Sequence, residues 1–204
     1  MTQGNIFVVT APSGAGKTTL VAALLAGDAN VQLSISFTSR APRVGEVDGK
    51  DYHFVDRATF EAMIARGELL ECAEVYGNYY GTSQTWITEA RASGRDILLE
   101  IDTQGAEQVR RLFPDAIGLF VLPPSLEVLE QRLKNRGKDA DEVIARRMAE
   151  ARAEIGHAEE FDYLIVNEHI DEAVRDIIGI VRAERLRLTR QVERHGALIA
   201  SLKG

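Results

Sequence analysis

Short β-branched apolar runs alternate along this chain with longer segments in which apolar residues recur at helical spacing. The runs predicted as core strands are Ile6 to Thr10, Val31 to Ser36, Asp96 to Ile101, Ile117 to Leu122 and Tyr163 to Val166. Such alternation is typical of a parallel sheet covered by helices, so it predicts an α/β fold. A long amphipathic helix is predicted for the C-terminal region from the spacing of Val174, Ile177, Ile178 and Val181.

Two stretches interrupt this alternation. Between about Arg40 and Trp86, an Asp-Gly turn signal precedes a strand-like run, and the segments LLECAEV and NYYGT flank Gly77. We expect a small, partly antiparallel insertion there. The second stretch, RLKNRGKDADEVIARRMAEARAEI, is charge-rich and of helical period with a break at Gly137, a pattern typical of a mobile lid.

Composition narrows the function classes only slightly. The chain has 204 residues, enough for one domain with a substantial core. Its formal charge of -7 argues against broad binding to nucleic acid or to an anionic membrane. The single cysteine, Cys72, excludes an intrachain disulfide and a multi-cysteine metal site, and it suits a reducing compartment. The first apolar run stops at Pro12, too short for a signal peptide, so we expect a soluble, cytoplasmic protein.

The segment APSGAGKTTL joins the apolar run IFVV to the helical run VAALLA. A phosphate-binding loop needs glycines that tolerate unusual dihedral angles, a lysine that reaches the terminal phosphates and a hydroxyl for magnesium. Gly14, Gly16, Lys17 and Thr18 supply these parts, whereas Ala11 stands where the usual pattern has glycine, which implies a negative φ there. The loop is predicted to hold a nucleoside triphosphate, and it leaves open whether the phosphate goes to water, to another molecule or into a motion.

A candidate acceptor region follows the loop in the sequence. Arg40 and Arg43 lie three residues apart, with Ser36 before them and Tyr52 after them. Two guanidinium groups and a phenol can bind a phosphate monoester, although an arginine pair alone is also typical of a solvated loop. The segment ECAEVYGNYYGTS adds three more polar side chains, Glu71, Tyr80 and Thr82.

The order of PSGAGKTT, SRAPRVGEVDGKDYHF, EVYGNYYGT, LLEIDTQGA and RLKNRG resembles the guanylate kinase family, and the resemblance runs from about Asn5 to the C-terminal helix. It implies a P-loop kinase fold with a central parallel sheet flanked by helices, a small mixed-β acceptor-binding insertion and a helical lid. The single domain, 1–204, would comprise a core (1–35, 87–124 and 160–204), a GMP-binding region (36–86) and a lid (about 125–159).

The resemblance also implies an activity. The family transfers the γ-phosphoryl group of ATP to GMP, forming ADP and GDP, and dGMP is a further expected acceptor. Mg²⁺ is the expected cofactor, ATP and GMP are the expected partners, and neither nucleic acid nor a membrane is expected. The oligomeric state stays open.

The family's functional residues map onto this sequence position by position. The ATP site would be Ala11, Pro12, Ser13, Gly14, Ala15, Gly16, Lys17, Thr18 and Thr19, with Thr18 as the metal ligand. The GMP site would be Ser36, Arg40, Arg43, Tyr52, Glu71, Tyr80, Thr82 and Asp102. In that site Glu71 reads guanine, Ser36 and Thr82 offer hydroxyls to the base carbonyl, and the two arginines and two tyrosines hold the phosphate. The catalytic cations would be Lys17, Arg132, Arg136 and Arg147.

Three residues keep alternative interpretations. Asp102 and Glu100, which is placed nearer the magnesium shell, could also be plain polar strand ends. Asn167 is either part of the nucleotide region or a turn residue.

Two rival functions fit the sequence less well than the kinase does. A non-enzymatic module of the same fold that binds a phosphorylated peptide has no need of Gly16, Lys17 and the lid arginines together. A kinase of a phosphorylated sugar would share the loop but has no use for a guanine reader, so Glu71 with its two hydroxyl neighbours argues against it.

Overall fold

The computed structural model describes residues 3–75, 77–136 and 141–204, and of Arg136 only the backbone. Its strands are β1 Ile6–Thr10, β2 Val31–Leu33, β3 Phe37–Thr38, β4 His53–Phe54, β5 Leu69–Val75, β6 Asn78–Ser83, β7 Asp96–Glu100, β8 Ile117–Leu122 and β9 Tyr163–Val166. Its helices are α1 Lys17–Gly27, α2 Arg57–Ala65, α3 Gln84–Ala92, α4 Thr103–Leu112, α5 Leu126–Arg136, α6 Asp141–Ile155, α7 Ile170–Arg185 and α8 Leu188–Leu202. A short 3₁₀ turn, Ala158–Glu160, precedes β9.

Strand β1 lies at the centre of a five-stranded parallel sheet of order β2-β7-β1-β8-β9. All its residues are buried, as expected for a strand covered on both faces. On one face, α1 and α7 contribute Leu20, Leu24 and Ile177 to the core. On the other, α3 and α4 contribute Ile87 and Val109. This arrangement confirms the predicted α/β fold with a central parallel sheet flanked by helices.

Three of the five predicted core strands, β1, β8 and β9, have the predicted bounds. The strand predicted from Val31 to Ser36 ends at Leu33, because the chain leaves the central sheet and pairs again as β3 in a second sheet. The strand predicted to reach Ile101 ends at Glu100. The Ile101 carbonyl accepts hydrogen bonds from the Thr10 hydroxyl (3.1 Å) and the Lys17 ammonium (3.2 Å).

The predicted insertion forms a second sheet of order β4-β3-β6-β5. Strands β5 and β6 are an antiparallel hairpin, whereas β3 and β4 pair in parallel, so the sheet is mixed as predicted. Helix α2, which the sequence interpretation did not include, also lies in this region. It begins after Asp56, whose carboxylate accepts the Thr59 backbone N–H at 2.7 Å, a typical N-cap.

The predicted lid contains two helices, α5 and α6, which lie before and after residues 137–140. Helices α5 and α6 pack through Leu129, Leu133 and Ala151, which form a small core of their own. The break predicted at Gly137 falls within 137–140, outside the described residues.

The predicted C-terminal helix corresponds to α7, which buries Ala173, Ile177 and Val181. The chain does not continue as one helix: Arg187 has non-helical backbone angles, φ -53° and ψ 137°, and α8 then begins as a separate helix. Among the described helices, none combines the length and the apolar character that a membrane crossing requires.

Candidate active site

The predicted phosphate loop connects the end of β1 to the start of α1, at the carboxyl edge of the parallel sheet. Gly14 and Gly16 have φ values of 94° and 96°, which side chains with a Cβ rarely adopt. Gly16 is the N-cap of α1, so the loop presents the positive end of a helix and its unpaired backbone N–H groups. Within the loop the Ala15 N–H donates to the Pro12 carbonyl at 3.0 Å. The loop geometry therefore suits an anion such as a phosphate.

Two side chains at the start of α1 face the end of β7. The Lys17 ammonium donates to the Ile101 carbonyl at 3.2 Å. The Thr18 hydroxyl donates to a Glu100 carboxylate oxygen at 3.0 Å. Of the two acidic residues in this region, Glu100 is thus the one beside the predicted metal ligand.

Asn167 and Arg132 hold the phosphate loop from its other side. The Asn167 amide donates to the Ala15 carbonyl at 2.8 Å, and its side chain is nearly fully buried. Arg132 donates to the same carbonyl at 3.4 Å and to the Asn167 carbonyl at 3.1 Å. Asn167 is therefore a loop-supporting residue rather than a plain turn residue.

Next to these residues lies an open cleft of about 510 Å³. Residues from the loop, from α5 and from the segment after β9 line it, among them Gly16, Thr19, Arg132, Asn135, Asn167 and Ile170. The cleft adjoins the loop on the side away from Glu100, which leaves room there for a nucleoside attached to a bound phosphate chain.

The other two predicted lid cations are Arg136 and Arg147. Arg147 is half-buried on α6, while the adjacent Arg146 is exposed and lies 3.9 Å from Glu150. Arg136 ends α5, and its side chain lies outside the described residues.

Sequence reasoning missed Glu154 of α6, which lies at the phosphate loop. Burial raises the pKa of its carboxyl, while the Lys17 ammonium and the Ser13 backbone N–H favour the ionised form. Glu150, one turn earlier, has one carboxylate oxygen buried without a hydrogen-bond partner among the described residues. The signal in the sequence was the spacing of these two acids, four residues apart on a helix that also carries Arg147.

Three of the four residues predicted to bind the acceptor phosphate lie together on the insertion. The Arg40 guanidinium donates to the Tyr80 hydroxyl at 3.2 Å and lies 5.4 Å from the centre of the Tyr52 ring. The Tyr52 and Tyr80 rings meet edge to face at 5.8 Å. Burial raises the pKa of Tyr52, and so does the nearby Glu100 carboxylate. The phenol of Tyr52 therefore stays protonated and can donate to an anion.

Arg43, the fourth of these residues, is exposed, and an unpredicted acid links its loop to Arg40. Glu46 accepts from the Arg40 guanidinium at 2.8 Å and from the Arg43 backbone N–H at 2.7 Å. The hydrogen bond that Arg40 donates to Glu46 is the main reason that the pKa of Arg40 is raised. A sequence search for an acid within one loop of the two arginines could have found it.

The predicted guanine reader, Glu71, is a buried carboxyl near the open end of the β5-β6 hairpin. It is only 3% exposed and lies opposite Thr82, which is 0% exposed. The Thr82 hydroxyl donates to Glu71 Oε1 at 2.7 Å. The pKa of Glu71 is raised to about 7. Burial is the main cause and the Asp102 carboxylate adds to it, while the hydrogen bond from Thr82 partly opposes them. A hydroxyl has one proton to donate. Because Thr82 donates it to Glu71, the same hydroxyl cannot also donate to a base carbonyl.

Asp102 and Ser36 flank this pocket differently. Asp102 is the N-cap of α4 and accepts the Gly105 backbone N–H at 2.8 Å, so it has a structural task besides its proximity to Glu71. Ser36 lies where the chain crosses from the central sheet to the insertion, and its carbonyl accepts the His53 backbone N–H at 2.8 Å.

The sequence is similar to that of known proteins over most of its length. Residues 3–184 match the sequence profile of guanylate kinase. The chain is 59% identical over 192 residues to the guanylate kinase of Aromatoleum aromaticum, covering 94% of each chain. It is 60% identical over 191 residues to that of Chromobacterium violaceum, covering 94% of this chain and 91% of the relative.

The structure is also similar to a solved one. It matches the crystal structure of guanylate kinase from Anaplasma phagocytophilum with a TM-score of 0.78 and 37% sequence identity. The match covers 93% of this chain and 90% of that chain, so the likeness extends over nearly the whole of both chains.

Proposed function

The chain belongs to the guanylate kinase family and is an enzyme that phosphorylates GMP with ATP to give GDP, and we propose that the residues described above form the site of this reaction. The observation that carries the proposal is the position of Glu100. Its carboxylate accepts from Thr18 of the phosphate loop and also raises the pKa of Tyr52 in the acceptor region. The donor and acceptor halves therefore meet at one point.

On the donor side, residues 11–19 bind the phosphates of ATP through the backbone N–H groups of the loop, and the cleft beside Asn167 takes its nucleoside. Lys17 and Arg132 lie at this loop and supply positive charge, and Arg136 and Arg147 are the further cations assigned from the sequence. Because phosphoryl transfer spreads negative charge over the moving group, such cations stabilise its transition state.

The residues present fit a magnesium ion. Mg²⁺ prefers hard oxygen ligands and keeps few protein contacts beside the substrate phosphates. Thr18 Oγ1 and a Glu100 oxygen lie 3.0 Å apart and are such ligands, so we assign the ion to this pair. When bound, Mg²⁺ supplies positive charge to the nucleotide phosphates.

On the acceptor side, Arg40, Tyr52 and Tyr80 bind the phosphate of GMP, and the exposed Arg43 closes on it from the loop.

Glu71 reads the ring N–H and the exocyclic amine of guanine with its two carboxylate oxygens. Because Thr82 already donates to Glu71, Ser36 is the better candidate to donate to the guanine carbonyl.

The reaction needs positioning more than acid-base chemistry. The attacking phosphate oxygen is already largely ionised near neutral pH, with a second pKa of about 6 by analogy with phosphorylated side chains. The site residues therefore bring two polyanions together and neutralise their charge, and closure of the α5-α6 lid excludes water as a competing acceptor. We place the enzyme in the cytoplasm, where both nucleotides are available.

The test is a turnover assay with ATP, Mg²⁺ and a panel of acceptors: GMP, dGMP, AMP, CMP, UMP and a sugar phosphate. We expect ADP formation to depend on the acceptor and to be fastest with GMP, with GDP as the second product. ADP formed without an acceptor would indicate an ATPase. Preference for the sugar phosphate would contradict the assignment of Glu71 as a base reader.

A further inference from the structure

Gly105, in the first turns of α4, lies directly against the carboxylate of Glu71. A Cβ placed on Gly105 would be 2.6 Å from Glu71 Oε2 and 3.2 Å from Glu71 Cδ. Real Cβ atoms essentially never come within 3.0 Å of another heavy atom, so any side chain at this position would force a displacement.

The backbone does not require glycine at this position. Gly105 is helical and is not one of the glycines with a positive φ. Alanine is the better helix former at such a site, because glycine loses more conformational freedom on folding. The feature that favours glycine is therefore the space that it leaves for the Glu71 carboxylate.

Helix α4 is fastened to β5 and cannot easily withdraw from a side chain at residue 105. Gln108 accepts the Cys72 backbone N–H at 3.1 Å and donates to the Cys72 carbonyl at 2.9 Å, one residue from Glu71. The apolar residues on either side of this contact, Leu70, Ala106 and Val109, belong to one buried core. Displacing the helix would disturb all of these contacts, whereas displacing the end of the Glu71 side chain disturbs only its carboxylate and the bond from Thr82.

We propose that Gly105 is a specificity-determining positioning residue, whose missing side chain sets where the Glu71 carboxylate meets the guanine base. The inference rests on the proposed function of Glu71. Gly105 has no side chain with which to bind a substrate. It acts by leaving Glu71 Oε2 free to accept from guanine, while Oε1 accepts from Thr82 and, through its second lone pair, from guanine as well.

The experiment substitutes Gly105→Ala and uses Gly179→Ala as its matched control. Gly179 is also helical, but a Cβ there meets nothing within 4 Å, so the control should leave activity unchanged. For Gly105→Ala we expect kcat/KM for GMP to fall by about 10-fold to 100-fold, as for loss of a hydrogen bond to a charged group. The loss should lie mainly in the KM for GMP, while the KM for ATP stays within about twofold. The melting temperature should fall by no more than a few degrees, because the better helix propensity of alanine offsets part of the cost of displacing Glu71.

A double variant separates a positioning role from a general disturbance. In the Glu71→Ala background the clashing carboxylate is gone, so adding Gly105→Ala should change kcat/KM for GMP by less than about twofold. An equal loss from Gly105→Ala in both backgrounds, or a loss for ATP as large as for GMP, would overturn the proposal. The parent enzyme is measured first with GMP and AMP: no preference for GMP would refute the role of Glu71, an outcome independent of how Gly105→Ala behaves.

Discussion

Glu71 and Thr82 face each other across two antiparallel strands, joined by a hydrogen bond of 2.7 Å from the Thr82 hydroxyl to the Glu71 carboxylate, and both side chains are almost completely removed from solvent. A carboxylate in such a place costs stability when it is ionised, because burial removes its hydration. A base with two adjacent N–H donors would pair with both oxygens of the Glu71 carboxylate, because the oxygen that accepts from Thr82 still has a second lone pair. The pocket is thus better suited to the complex than to the isolated chain.

A first prediction follows for stability. The pKa of Glu71 rises from its ordinary value of 4.5 to about 7 on folding, so the folded protein holds a proton that the unfolded chain releases in this pH window. The free energy of unfolding should therefore fall as the pH rises from about 4.5 to 7, by about 3 kcal/mol from this residue. Glu71→Gln should raise the melting temperature at pH 8 by several degrees and leave it nearly unchanged at pH 5. Thermal melts at both pH values test this, and an equal difference at the two would contradict the burial of an ionisable Glu71.

A second prediction concerns Lys17, whose ammonium lies at the loop and donates to the Ile101 carbonyl. Lys17→Met should keep the fold, because the loop backbone forms without it, and should lower turnover by about 100-fold to 1,000-fold, as for other lost electrostatic groups. Circular dichroism melts and steady-state assays check the two parts. A variant that melts like the parent but keeps more than about a tenth of its turnover would show that Lys17 does not stabilise the transferred phosphoryl group.

A third prediction concerns Ala11, which is buried in the main core at the start of the loop. Ala11→Gly should preserve turnover and ATP binding, since the loop needs only a small residue there. The free energy of unfolding should drop by a few tenths to about 1 kcal/mol, because glycine gives the unfolded chain more freedom. Denaturant unfolding and an ATP titration measure both effects, and a collapse of ATP binding would mean that the loop geometry requires the alanine.

A fourth prediction separates two adjacent lid arginines. Arg147 is half-buried on the face of α6 that carries Glu154, whereas the Arg146 side chain is 64% exposed. Arg147→Ala should mainly lower kcat, since the lid acts in the closed complex, and Arg146→Ala should change little. Calorimetry with GMP and assays of both variants distinguish the roles. A large loss of GMP affinity with turnover unchanged would place Arg147 in the acceptor site instead of the lid.

Local patterns predicted the scaffold well. β1, β8 and β9 are short apolar runs whose limits could be seen in the sequence: Pro12 and Pro123 follow β1 and β8 closely, and Asp162 and Asn167 flank β9. The loop at Gly14 and Gly16 could be predicted because its dihedral angles demand glycine. In contrast, the end of β2 depends on where the chain leaves one sheet for another, and no local signal marks that point.

Tertiary contacts account for the parts of the site that were missed. Glu46 matters through its bond to Arg40, and Glu154 through its approach to a loop far away in the sequence. Gly105 looks like an ordinary helix glycine until α4 is packed against Glu71. Each of these roles depends on distances between elements, which residue spacing does not contain.

The most direct test of the account is the base preference of Glu71→Gln. Guanine offers a ring N–H and an exocyclic amine to the carboxylate, whereas adenine has an acceptor nitrogen at the corresponding ring position and would leave buried polar groups unpaired. A site built on such hydrogen bonds can reject the wrong base by roughly 10⁴-fold.

The measurement is kcat/KM with GMP and with AMP, for the parent and for Glu71→Gln, together with the KM for ATP. Because glutamine replaces one acceptor oxygen by a donor, we expect efficiency with GMP to fall by about 100-fold or more, the preference for GMP over AMP to shrink, and the KM for ATP to change little. An undiminished preference for GMP in Glu71→Gln would contradict the assignment of Glu71 as the guanine reader.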